Sequence, residues 1–220
     1  MRLGVMQPYF LPYIGYYQLM TSVDLFIYYD DVTYIKQGWI NRNNILLNNK
    51  DYRFALELSG ASSFKKINEI TIGGNRGKLL KTFTQAYSKH PYFKDVNPLL
   101  HDIFDSADAN LFEYIYQTNR KIFDYLKLNV NCIVSSEIEK NNNLQGQAKI
   151  LDICKRLGAK TYFNAIGGQH LYSRQDFKNE GLELYFISTP ESLPRRSIID
   201  VLMNHSPKEI KEMLKNYTLV

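Results

Sequence analysis

Leu3-Gly4-Val5-Met6-Gln7-Pro8-Tyr9-Phe10-Leu11-Pro12-Tyr13-Ile14-Gly15-Tyr16, followed a few residues later by Leu25-Phe26-Ile27-Tyr28-Tyr29-Asp30-Asp31, is the stretch on which the fold turns. Leu3 to Met6 is a short apolar run stopped by Gln7-Pro8, the pattern of a buried strand. Pro12 then opens a helix over Tyr13 to Thr21, since proline suits a first helical turn. Leu25 to Tyr29 is a second buried run, ended by two aspartates. Strand, helix and strand within about 30 residues form a βαβ unit, which requires parallel pairing and a right-handed crossover.

Working outward, Arg53–Leu58 and Ile67–Ile72 are expected strands, separated by Ser59-Gly60-Ala61-Ser62-Ser63. Gly73-Gly74-Asn75 closes the second. A helical insertion at about 77–127 follows, with Phe112, Ile115, Tyr116, Ile122, Phe123 and Leu126 at helical spacing. Alternation then resumes: a strand at Asn131–Ser135, a helix at Leu144–Leu157 and a strand at Thr161–Asn164. A helical or turn segment covers Gly168–Asn179, and a strand covers Leu182–Ile187. Helices at Arg196–Asn204 and Pro207–Asn216 complete the chain, the last announced by Ser206 and Glu209 as a capping box. The expected fold is one α/β domain over 1–220. Its sheet is open and mainly parallel, Rossmann-like, with a nucleotidyltransferase-like βαβ start and a helical insertion.

The 220 residues, 45% of them hydrophobic, are enough for a sizeable core. No apolar run approaches a membrane span. The first residues lack the apolar core of a secretory signal, so a cytoplasmic location is expected. Cys132 and Cys154 are too few for a disulfide framework or thiolate metal site and sit in apolar contexts as small core residues. A net charge of +5 favours anionic partners, but the lysines and arginines are scattered and form no track for nucleic acid. Tyrosine is abundant, 17 residues against a single tryptophan. Seven of these tyrosines lie within the first 34 residues, a composition suited to packing on a ring or sugar face.

In an open parallel sheet, ligands bind beyond the carboxyl ends of the strands, which selects three loops. The first, Gln7 to Tyr13, brings Gln7, Tyr9 and Tyr13, with Gly15 permitting close approach. Tyr13-Ile14-Gly15-Tyr16 occupies the slot of a nucleotidyltransferase's histidine-x-glycine-histidine turn, but tyrosines cannot supply the paired imidazoles. The second loop offers Asp30 and Asp31, which could hold a divalent cation, orient a sugar hydroxyl or act as a general base. It also offers Lys36, Asn41 and Arg42 as polar or cationic donors and Trp39 as a stacking face. The third offers Asn164, Gly167, Gly168, His170 and Tyr172. Two glycines between strand and helix make a backbone cradle for an anion, and His170 is a candidate base. The bland alternatives are a tight aromatic turn, an Asp-Arg network and a structural histidine. Gly73 to Lys78 imitates a phosphate-binding loop, but its spacing is one residue short and Leu79 stands where a Ser or Thr belongs.

Met6 to Tyr16, then Asp30-Asp31-Val32 with Lys36, Trp39 and Asn41-Arg42-Asn43, closely resemble the WbqC-like protein family. Tyr162-Phe163-Asn164 through Gly167-Gly168 and Tyr172, and the tail Ser197 to Met203, fit the same pattern. The resemblance implies a cytoplasmic role in building bacterial O-antigen or another surface polysaccharide. The leading expectation is an N-acyltransferase: an acyl or aminoacyl group passes from a carrier-protein or CoA thioester to the amine of a nucleotide-linked amino sugar. One alternative is a magnesium-dependent nucleotidyltransferase-like enzyme. Another is a non-catalytic binding subunit of a polysaccharide pathway. No metal-ligand set is assigned, and magnesium enters only under the nucleotidyltransferase alternative.

Overall fold

The computed structural model describes residues 1–220. Its centre is the expected unit: β1 (Arg2–Met6), α1 (Ile14–Ser22) and β2 (Leu25–Tyr28), with β1 and β2 parallel and Leu3 opposite Leu25. Two antiparallel pairs follow, β3 (Arg42–Leu47) with β4 (Lys50–Ala55), and β5 (Leu58–Ser59) with β6 (Thr71–Ile72). Helices α2 (Arg76–Tyr87), α3 (Phe93–Phe104) and α4 (Leu111–Leu126) fill the inserted segment. The chain then runs through β7 (Cys132–Val134), α5 (Gly146–Arg156), β8 (Thr161–Ala165), α6 (Arg174–Asn179) and β9 (Glu183–Ser188). It finishes with α7 (Ile198–Asn204), α8 (Pro207–Lys215) and β10 (Thr218–Leu219). The order β10-β9-β8-β1-β2-β7 is an open α/β sheet, parallel except for β10 at its edge.

Two expected strands need correction. Arg53–Leu58 splits between β4 and β5, and Ile67–Ile72 begins as a 3₁₀ turn, Ile67–Glu69, before β6. Strand β3 was not expected. Its hairpin turn is Asn48-Asn49, both at positive φ (52° and 59°), a backbone that asparagine tolerates and that matches strand twist. The capping box is present: Glu209 N–H bonds Ser206 Oγ, and the Glu209 carboxylate accepts from Ser206 N–H at 2.7 Å.

Side-chain alternation sends the strands' residues to two apolar layers. Leu3, Val5, Leu25 and Ile27 pack with Ile150, Ile153 and Phe177 of α5 and α6. Phe26 and Tyr28 join the other layer, with α1, the inserted helices, α7 and α8. Gly4 lets α1 lie close, since a Cβ there would already touch Leu19 and Val23. No helix is long and apolar enough to cross a membrane.

Candidate functional site

From β1 the chain moves to β2, with β7 beyond it, and then returns to lay β8 and β9 on the opposite side of β1. The neighbours β1 and β8 therefore lead away in opposite directions, and a crevice opens beyond their carboxyl ends. A cavity of about 660 Å³ occupies it, within the range of small-molecule sites. One wall is the end of β1 and the start of α1: Val5, Met6, Gln7, Tyr9, Tyr13, Tyr16 and Leu19. The opposite wall is Asn164, Ala165, Gly167, Gly168, Leu171 and Tyr172. Tyr29, Ile35 and Trp39, with Gly146, Gln147 and Ile150 of α5, complete the lining.

The three loops thus meet. Gln7, Tyr9, Tyr13, Trp39, Asn164, Gly167, Gly168 and Tyr172 face one cavity. Lys36, Asn41 and Arg42 do not line it. Lys36 is exposed. Asn41 ties the loop's base together, accepting from Tyr34 Oη at 3.0 Å and donating to the Leu56 carbonyl at 2.7 Å. Arg42 Nε donates to the Gly38 carbonyl at 2.8 Å.

The candidate bases are placed elsewhere too. Asp30 is buried away from the cavity and accepts from Asn68 Nδ2 at 2.7 Å and from Ser136 N–H at 2.9 Å. Asp31 pairs with Lys140 Nζ at 2.9 Å, the two side chains being only 7% and 2% exposed. Burial alone would raise the Asp31 carboxyl. Hydrogen bonding from Lys140, with the charges of Lys140 and Lys149, outweighs that and holds it below the usual carboxylate range. His170 lies in the 3₁₀ turn Ile166–Leu171 but is exposed and outside the cavity lining. A 3₁₀ turn repeats every three residues, so Gly168 and Leu171 share the face toward the cavity, with Gly167 beside them. Asp30, Asp31 and His170 thus all stand outside the lining of this cavity.

No Asp, Glu, Lys, Arg or His lines the cavity at all. Its titratable groups are tyrosines, and burial raises Tyr9, Tyr16, Tyr29 and Tyr172 above the ordinary phenol value. They remain neutral near pH 7, able to donate and to stack but not to act as bases. Tyr16 Oη is already spent on the Gln7 carbonyl at 2.9 Å. On the far wall, Asn164 Nδ2 donates to Tyr162 Oη and Tyr172 Oη at 2.8 and 3.1 Å, and Asn164 Oδ1 accepts from Ala165 N–H. A Cβ on Gly168 would stand 3.2 Å from Asn164 Oδ1, so glycine keeps the turn against this network. Gly15 has a comparable role: a Cβ there would run into the Tyr13 ring and the Thr189 hydroxyl.

Several lining residues were not among the expected ones, notably Gln147 and Ile150 of α5, Ile35 and Leu171. The rule that found the three loops also covers α5, because a helix following β7 starts on the same rim. A second recess of about 220 Å³ shares Tyr9, Tyr13 and Trp39 with the main cavity and adds Pro12, Asn43 and Arg195. Cys154 is a core residue and Cys132 is half-buried against the core; burial pushes both thiols up to about 12, and neither lines the cavity. No three His, Cys, Asp or Glu side chains gather in a metal-sized cluster.

The model of the WbqC-like protein family matches residues 7–212, from the first cavity loop to α8. The chain belongs to the WbqC-like protein family. It is similar to the uncharacterised protein Rv1507c of Mycobacterium tuberculosis, 25% identical over 217 residues that cover 92% of this chain and 93% of that one. No solved structure matches it.

Proposed function

We propose that the switch-point cavity binds a nucleotide-linked amino sugar and that the protein transfers an acyl or aminoacyl group to its amine. The donor would be a carrier-protein or CoA thioester, and the product would enter surface-polysaccharide assembly. The observation that carries this reading is the character of the wall: aromatic and amide groups with no charge. Tyr9, Tyr13 and Trp39 offer faces to a sugar or base, and Val5, Leu19 and Ile150 offer aliphatic surface to an acyl chain.

A cavity without a base suits aminolysis of a thioester, whose donor is already activated. The attacking amine has only to be neutral, and removal from water disfavours its ammonium form. The attack puts negative charge on the former carbonyl oxygen. The first N–H groups of the turn at Ile166–Leu171 have no carbonyl inside the turn to bond, and Gly167 carries one of them to the wall. The rest of the catalysis is positioning, for which a preformed aromatic slot is suited. Tyr13 and Tyr16 in place of paired histidines argue against nucleotidyl transfer.

The same neutral wall also favours a second reading, a non-catalytic subunit that holds the sugar nucleotide for a partner. Thiol release from acetyl-CoA in the presence of a UDP-linked amino sugar separates the two. The enzyme reading expects release that needs the free amine and stops when that amine is already acetylated. Stabilisation of the fold by the sugar nucleotide, with no thiol released from any acyl thioester tried, would leave the binding subunit instead.

A further inference from the structure

The main cavity has no charge with which to hold the phosphates of a nucleotide-linked ligand, so the cation must stand at its edge. Two adjacent arginines follow β9 and differ in what they do. Arg196 is spent on structure, pairing with Asp51 at 2.6 Å and Asp200 at 3.9 Å. Arg195 forms no ion pair. Its guanidinium lies over the Tyr13 ring at 5.9 Å, at the edge of the roughly 6 Å reach of such contacts, and one Nη donates to the Thr189 carbonyl at 2.8 Å.

Those two contacts fix the side chain without using its charge. Thr189 is itself held in place: it is buried just past the end of β9, and its hydroxyl donates to Gln18 Oε1 at 2.7 Å. Of five N–H donors, Arg195 spends one, and the planar fork remains for a bidentate acceptor. It lines the smaller recess, which joins the cavity through Tyr9, Tyr13 and Trp39, and no carboxylate lines either space. A second guanidinium without an ion pair, Arg53, lies over the Trp39 ring at 5.7 Å and adds to the positive field on this side.

We infer that Arg195 is the anion-recognising residue of the site, holding phosphoryl oxygens in the smaller recess while the uncharged ring of the ligand packs between Tyr9, Tyr13 and Trp39. This rests on the reading that a phosphorylated ligand enters the cavity, and it assigns the phosphate contact to Arg195 in place of Lys36 and Arg42. The phosphoryl group can belong to a sugar nucleotide, to the CoA donor or to a sugar phosphate, which differ in what else they carry.

Trp39 is the sole tryptophan and lines both spaces, so its emission reports occupancy directly. The test titrates the protein with UDP, CoA and glucose 1-phosphate, with uridine and glucose as uncharged controls, in the wild type, R195Q and R195K. At least one phosphorylated probe should perturb Trp39, and R195Q should weaken it by roughly 10- to 100-fold, the scale of a lost charge-assisted contact. R195K, keeping charge but not the fork, should fall between. Uridine should bind R195Q as it binds the wild type, showing the cavity intact. If only CoA or glucose 1-phosphate binds in this Arg195-dependent way, the arginine assignment holds and the sugar-nucleotide reading falls. If R195Q binds every phosphorylated probe like the wild type, or if no phosphorylated probe affects Trp39, the inference is overturned.

Discussion

Asp31→Asn separates a structural carboxylate from a catalytic one. The Asp31–Lys140 pair is 2.9 Å long and almost wholly enclosed, and Lys140 Nζ also reaches the carbonyls of Ser135 and Ile138. Neutralising Asp31 leaves the ammonium with carbonyl dipoles alone. Removing one partner of a buried pair costs about 3–5 kcal/mol. At roughly 2–4 °C per kcal/mol for a chain of this size, melting should fall by about 6–20 °C. The double variant D31N/K140M should recover most of that, because it removes the stranded charge as well. The pH profile has a definite sign. The folded carboxyl titrates below its unfolded value, so its contribution is complete above the ordinary aspartate pKa, about 3.9. That contribution is lost as pH falls through the lower folded value, leaving stability flat near neutrality and the loss confined to acid. Circular-dichroism melts of both variants across pH, with a probe titration on Trp39, provide the check. A D31N protein that melts like the wild type but no longer binds or turns over would return Asp31 to the cavity's chemistry and refute the structural assignment.

Gly15→Ala should destabilise by about 1 kcal/mol, overpacking of about 1–3 kcal/mol being partly offset by alanine's better helix propensity. It should also shift Trp39 emission, because Tyr13 must move; a variant that melts and fluoresces like the wild type would show that Tyr13 and Thr189 yield freely. Cys154 should resist a thiol reagent at neutral pH in the folded protein and react at the rate of unfolding, since burial pushes its thiol up to about 12. Rapid labelling under native conditions would contradict that placement.

The βαβ start was legible because its signal is contiguous: two apolar runs and a proline-opened helix leave one economical pairing. The Ser206–Glu209 cap was legible for the same local reason. Strand β3 was not, since its residues Arg42 to Leu47 are half polar and the turn Asn48-Asn49 was not read as the hairpin signal it is. The site divides along the same line. Which loops reach the rim follows from strand order, and Gln7, Tyr9, Tyr13 and Asn164 come together because of it. Which way a side chain points within a loop depends on partners far away in sequence. Asp30 turns toward Asn68 and Ser136, and Asp31 toward Lys140, none of which announces itself in the run Asp30-Asp31. Arg195 and Arg196 are neighbours with opposite fates for the same reason: Asp51 and Asp200 meet one and not the other.

These placements have a common physical cause. A charge withdrawn from water is tolerated only when paired, and near the sheet's carboxyl rim each enclosed carboxylate has already found a partner. Asp30 and Asp31 therefore fasten loops to the end of β2, and Asp200 ties α7 to α2 through Tyr87, while phenols and amides, which tolerate partial burial without ionising, form the cavity wall. Such a wall can orient a ligand and exclude water but can move no proton of its own near pH 7. Whatever charge the ligand brings must then be met at the edge, and Arg195 is the guanidinium there that is anchored, unpaired and open to the recess. On the proposed reading, the chemistry draws on reactivity already stored in the substrates, and an activated acyl donor and a desolvated amine suit this cavity better than a reaction that needs a protein base.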